Sequence, residues 1–254
     1  MVESADPVSP RIADCSLCPF RGKTLLMGRC MPGDTCVFVE SGRQIDRFFR
    51  VNPAYAVHYL QDKFWERRAI AVRYAPQKAL QVLINDEDEV VRRAVAYRLP
   101  AQQLLAWIND PDREVRMTVA DRIDPEHLEL LAGDQDYIVR LMVAKRLAPG
   151  RLFRFIKDED EQVRKIVAER LPEVSLGLMA NDPMADVRRI VAERLPAEDA
   201  VALLNDSDWV VRYTVALKVD PKYLAALVND PEPDVREVAQ RRLNSTHALD
   251  SDHD

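Results

Sequence analysis

Glycine is scarce in this 254-residue chain, with seven in all, and aromatic residues make up only 7%. Helix interiors exclude glycine and proline, so such a composition favours helix over strand. No segment alternates β-branched with polar residues, and no sheet is expected. No apolar run approaches the roughly 18 residues needed to cross a bilayer. The start, Met1-Val-Glu-Ser-Ala-Asp-Pro, lacks the basic stretch and apolar core of a secretory leader. Both absences point to the cytoplasm and away from a membrane. Nor is there an excess of positive charge. The net charge is −6, which gives no overall attraction for nucleic acid or anionic lipid, so only a local basic face would supply one. The four histidines, His58, His127, His247 and His253, are scattered, and none pairs at metal-ligand spacing. Cysteine is absent after residue 36, all four thiols falling between 15 and 36. In a reducing compartment such clustering points to metal ligation rather than disulfides.

What the chain does have is a repeat. Arginine recurs every 24 residues at Arg68, Arg92, Arg116, Arg140, Arg164, Arg188, Arg212 and Arg236, with aspartate in step from Asp86 to Asp230. Self-similarity at one fixed period marks a solenoid. Within one unit, Val91, Val95, Ala96 and Leu99 lie on one face of a helix of roughly ten residues. Pro100 ends it, lacking the N–H a helix needs. Leu104, Trp107 and Ile108 form a second, shorter cluster of 3₁₀ or α type, and Asn109-Asp110-Pro111-Asp112 is a turn whose aspartates can cap the next helix.

The expected organisation is a flexible start (1–10), a cysteine domain (11–43), a degenerate capping repeat (44–67) with Gln44 in the arginine slot, helical repeats (68–243) and a disordered acidic tail (244–254). Stacked repeats expose an apolar face at each end, so an end needs a cover. An arginine ladder can bind phosphates or serve the structure. Here each arginine has an aspartate at a constant offset, as in Asp110/Arg116, and a guanidinium fork suits a carboxylate. The expectation is therefore a structural pair linking loop to helix, within or between units. A carboxylate repeated identically in every unit also makes a poor acid–base catalyst, which needs a unique constellation. Trp107, Phe153, Phe155, Met179 and Trp209 are expected in packing roles.

The cysteines read Cys15-x2-Cys18-x11-Cys30-x5-Cys36. Four thiolates complete the set for tetrahedral zinc or a cubane iron–sulfur cluster, and the spacing leaves both open. Arg21, Lys23 and Arg29 would offset the thiolate charge.

The cysteines, together with the motif Val-Arg-x-x-Val-Ala-x-Arg-Leu-Pro at 91–100 (matched fully at 163–172 and 187–196), give the chain its likeness. It resembles the leucine-rich repeat variant family over about residues 11–243. The resemblance implies a [4Fe–4S] cluster on Cys15, Cys18, Cys30 and Cys36. It also implies an all-α solenoid of alternating α- and 3₁₀-helices wound into a right-handed superhelix. It supplies no biochemical activity. Ala148-Pro149 and Asp124-Pro125 shift the proline by one, which is expected to alter loop geometry only. The Asp…Val-Arg-x-x-Val-Ala pattern is also similar to HEAT repeats. The function expected is a scaffold for an unidentified protein partner, with the cluster structural, electron-transferring or redox-sensing. The alternative is a nucleic-acid-binding module with a structural metal site. An enzyme is disfavoured, because no catalytic constellation or nucleotide loop is visible.

Overall fold

The computed structural model describes residues 13–16 and 18–250, with side chains as far as 245. The expected flexible start at 1–10 lies outside the described residues. The chain divides into two units, Met1–His127 and Leu128–Asp254. In the first, α1 (Gly42–Val51), α2 (Trp65–Tyr74) and α3 (Glu89–Arg98) are followed by the seven-residue 3₁₀ segments Pro53–Tyr59, Gln77–Leu83 and Ala101–Trp107, and α4 (Arg113–Arg122) by Pro125–Leu131. The second contains α5 (Tyr137–Arg146), α6 (Glu161–Arg170), α7 (Ala185–Arg194), α8 (Ala197–Ala200), α9 (Trp209–Ala216) and α10 (Pro233–Asp250). Its 3₁₀ segments are Pro149–Phe155, Glu173–Met179, Val201–Leu203 and Pro221–Leu227. No strand occurs among the described residues, the nearest thing being a single antiparallel bridge between Met31 and Thr35.

The two helix types follow from two apolar periods. Val163, Val167, Ala168 and Leu171 are fully buried along one face of α6, at the spacing of a 3.6-residue helix. Leu104 and Trp107, Leu128 and Leu131, and Leu152 and Phe155 are buried in pairs three residues apart. Side chains at i and i+3 eclipse in a 3₁₀-helix, so this spacing points both inward. Each such burial stabilises by about 1.5–3 kcal/mol relative to exposure. Two of the expected packing residues lie at the surface rather than in the core, Trp209 packing edge-on against Tyr213. Phe153 is 48% and Trp209 41% exposed, because Phe153 falls between the inward pair Leu152 and Phe155, and Trp209 opens α9 beside its cap.

The cap is an aspartate. Asp88, Asp112, Asp160 and Asp208 each accept two backbone N–H bonds at the starts of α3, α4, α6 and α9, and Asp136 accepts from the Ile138 N–H at the start of α5. In α7 the slot holds Met184, with the same extended backbone but no side-chain bond. At the far ends of α2 to α7 the chain turns extended; Leu99, for one, has ψ 152°, as expected for a residue before proline. The shifted proline changes little. Ala148, before Pro149, has φ −60° and ψ 140°, against −66° and 154° at Pro100. Proline and the residue preceding it favour the same region, so either order gives this turn.

From 244, where disorder was expected, helix α10 runs on to Asp250. No proline or glycine interrupts Asn244-Ser-Thr-His-Ala-Leu-Asp250, so nothing stops propagation from the packed turns before it. Residues 251–254 lie outside the described chain.

Candidate metal centre

The arginine ladder is a set of bridges between neighbouring repeats. Within the first unit Arg92 donates from Nε to Asp110 Oδ2 at 2.8 Å and from Nη2 to Oδ1 at 2.9 Å. Its Nη1 donates to the Asp86 carbonyl at 2.9 Å. Arg68–Asp86 repeats the fork in that unit, as do Arg140–Asp158, Arg164–Asp182, Arg188–Asp206 and Arg212–Asp230 in the second. The carboxylate that pairs is therefore the one 18 residues ahead, while the aspartate six residues behind contributes its backbone carbonyl. These guanidiniums are buried or largely buried and each is held by a carboxylate, so the bonds that could take a phosphate are already used within the fold.

A second cationic series was not recognised from the sequence. Arg122 donates to the Ala96 and Leu99 carbonyls, Arg194 to Ala168, and Arg242 to Ala216 and Val219. Lys218 does the same at Ala192 and Leu195. Each satisfies the last carbonyls of the preceding helix, where cations are favoured. The signal was present as the second arginine of the ten-residue motif.

At Gln44 the ladder breaks, and the cysteine segment is attached there. Lacking a guanidinium, Gln44 leaves Asp62 to Arg67, 2.6 Å away. Its own backbone carbonyl instead accepts from the Cys36 N–H at 3.3 Å. Among the described residues, the buried Gln44 Oε1 has no hydrogen-bond partner. Asn52 Nδ2 donates to the Arg29 carbonyl at 2.7 Å. Phe20 packs into an aromatic cluster with Tyr55, Phe48 and Tyr59, at centroid distances of 4.7, 5.9 and 6.3 Å. The cysteine segment thus shares its core with α1 and the 3₁₀ segment after it.

The four thiols are free. Cys15 and Cys18 sit in a turn closed by the Cys18 N–H on the Cys15 carbonyl at 3.4 Å. A single π-helical turn, Arg21–Leu25, follows. Cys30 and Cys36 flank the Met31–Thr35 bridge, whose N–H···O bonds are 2.9 and 2.8 Å. Gly33, at φ +84°, makes the reversal that a side chain would resist. Cys36 is buried and the other three half-buried. The Cys30 thiol is pushed up to about 11, first by burial and then by the charges of Cys36, Cys18 and Cys15, with a Thr24 hydrogen bond opposing. Cys30 therefore feels the charge of each of the other three cysteines. Among the described residues, no three His, Cys, Asp or Glu groups close on a single metal ion. As a donor set the four thiols fit a cationic iron–sulfur core, which takes cysteine as thiolate and releases its proton on binding. Arg21, Lys23 and Arg29, expected to offset the thiolates, are exposed at the surface.

The family described as "LRV protein FeS4 cluster" matches residues 11–58. That span runs past 43 through α1 into the first 3₁₀ segment, the stretch that shares the aromatic core. A solved structure described as a leucine-rich repeat variant with a novel repetitive protein structural motif is 60% identical, with a TM-score of 0.86. The match covers 92% of this chain and all of that one. An uncharacterized 27.7 kDa protein in the nifB 3′ region of Rhodobacter capsulatus is 37% identical over 103 residues, 40% of this chain. The match spans 42% of that relative's length. No helix among the described residues is long and apolar enough to cross a membrane. Of the two metals that spacing left open, the N-terminal match selects iron–sulfur over zinc. With alternating α- and 3₁₀-helices and an FeS4-cluster domain at its N-terminal end, the chain belongs to the leucine-rich repeat variant family.

Proposed function

We propose that the protein is a non-enzymatic interaction scaffold, that Cys15, Cys18, Cys30 and Cys36 hold a [4Fe–4S] cluster, and that this cluster exchanges electrons with a protein partner. The observation that carries the redox part is exposure. The loop residues on either side of Cys30, Arg29 and Met31, are exposed, so a partner can approach the site as closely as electron exchange requires. Support for the scaffold part is that carboxylates and cations recur identically from repeat to repeat and are paired, so no unique acid–base constellation stands out. When bound, such a cluster supplies a one-electron couple whose potential depends on hydrogen bonding and solvent exposure. The chain's own part is to position the thiols with the Cys15–Cys18 turn and the Met31–Thr35 bridge, and to fix that loop to α1 through Gln44 and Asn52.

The test is anaerobic purification with iron, sulfide and zinc analysis, followed by a potentiometric titration read by visible absorption and electron paramagnetic resonance. The expected result is equal iron and sulfide, near four of each per chain, with a reversible one-electron change. Stoichiometric zinc without sulfide would overturn the ligand assignment. A centre locked in one oxidation state would overturn the electron-transfer role.

A further inference from the structure

The loop between the cysteines carries an exposed patch of unusual make-up. Leu26 is 81% exposed, Met27 63% and Met31 60%. Large apolar side chains so far out of the fold mark a surface used for binding when they are contiguous and rimmed by polar groups. Here they fall within six residues, and Met31 adjoins Cys30. The rim is cationic: Arg21, Lys23 and Arg29 are all exposed. Residues 19–33 contain no aspartate or glutamate, in a chain whose acidic residues outnumber its basic ones by 42 to 36. Of the carboxylates that flank the loop in sequence, Asp34 is paired with Arg47, and Asp14, beside Cys15, accepts from Ser16 and feels the charge of Arg21. Positive charge and flexible thioethers are therefore concentrated around the cysteines of an otherwise acidic protein.

From this we infer that the 21–31 loop is the docking surface for an acidic one-electron carrier protein. The inference rests on the electron-transfer reading above. Opposite charge steers the carrier to the loop. Leu26, Met27 and Met31 form a small, adaptable apolar contact, of the size class that serves transient redox encounters. In each encounter one electron passes between carrier and cluster, and no bond is made or broken.

The test uses the holoprotein, with flavodoxin as the acidic carrier and methyl viologen as a small cationic control. Transfer is followed by stopped flow in whichever direction the measured cluster potential makes downhill. Complex formation is followed separately by chemical-shift changes in isotope-labelled flavodoxin. The K23E/R29E double variant is expected to exchange electrons with flavodoxin at least tenfold more slowly at low salt. That deficit should shrink at high salt, and exchange with methyl viologen should not slow. L26S/M27S is expected to weaken the shift changes at both salt concentrations while retaining the cluster absorption. Wild-type rates and shifts in both variants would overturn the docking surface and leave the electron-transfer reading standing. A cluster that methyl viologen cannot cycle would sink that reading, and this inference with it. Binding to anionic phospholipid vesicles that is lost in L26S/M27S, with flavodoxin exchange unchanged, would reassign the patch to a lipid surface.

Discussion

Asp230 shows what one residue does in this architecture. Its Oδ2 and Oδ1 accept from Arg212 at 2.7 and 2.8 Å, and Oδ1 also accepts the Glu232 N–H at 2.9 Å. The Arg212 bond, against burial and aided by the Glu232 N–H, holds its carboxyl below the usual range. At Asp158 and Asp206 burial pushes upward, but the bonds from Arg140 and Arg188 and from a backbone N–H outweigh it. A carboxyl depressed in the folded state stabilises the protein above its unfolded value, near 3.9. That stability is lost as pH falls through the lower folded value. The thermal midpoint should therefore be insensitive to these pairs from pH 7 to about 5 and should drop steeply below about pH 4. A midpoint that holds steady to pH 2.5 would show that the ladder contributes nothing to stability. The pairing of arginine with aspartate was readable from their common period. Which aspartate supplies the carboxylate was not, because a helical period places the two ends of a unit but not the next unit against it.

Among the elements, α7 is the exception that tests the capping rule. Its first turn has the backbone of its neighbours, φ −91° and ψ 126° at Met184 against −91° and 124° at Asp136, but no side-chain acceptor. Met184→Asp should give the Asp186 N–H a side-chain acceptor and add about 1 kcal/mol, read as a higher urea midpoint with the slope unchanged. A lower midpoint would mean that the half-exposed thioether packs better than the carboxylate caps. The α-helices were legible because four-residue spacing and proline ends state them locally. The 3₁₀ character was legible only as one of two options. Three-residue pairs such as Leu104 and Trp107 become decisive once both are seen buried, with Trp107 Nε1 donating to the Ile84 carbonyl at 2.9 Å. The π turn at Arg21–Leu25 left no mark in the sequence, since it answers to the packing of Phe20 rather than to a period.

For the molecule as a whole, the consequence is that metal and first repeats share one folding unit. Phe20, Asn52 and Gln44 join the cysteine loop to α1, and α1 packs in turn on α2, where Asp46 accepts from the Tyr74 hydroxyl at 2.8 Å. A group bound only by the folded state stabilises what it is built into. Cys30→Ser should abolish the visible absorption and lower hydrogen-exchange protection across 44–74, with less effect further along, because repeats pass stability mainly to neighbours. Unchanged protection throughout 44–91 would exclude a capping role for the cluster.

Sequence alone determined the helical class, the 24-residue unit, the four thiols and the aspartates and prolines that cap and terminate most of the repeat helices. All of these are written in local periods and in the backbone chemistry of proline and aspartate. Only the tertiary structure decided the inter-repeat partner of each arginine, the carbonyl-capping role of the second basic series and the outward placement of Phe153. It also showed that the cysteine loop, with Leu26 and Met27 left exposed, rests on α1. These depend on which surfaces meet across 18 residues or more, and chain-local preference carries no information about that.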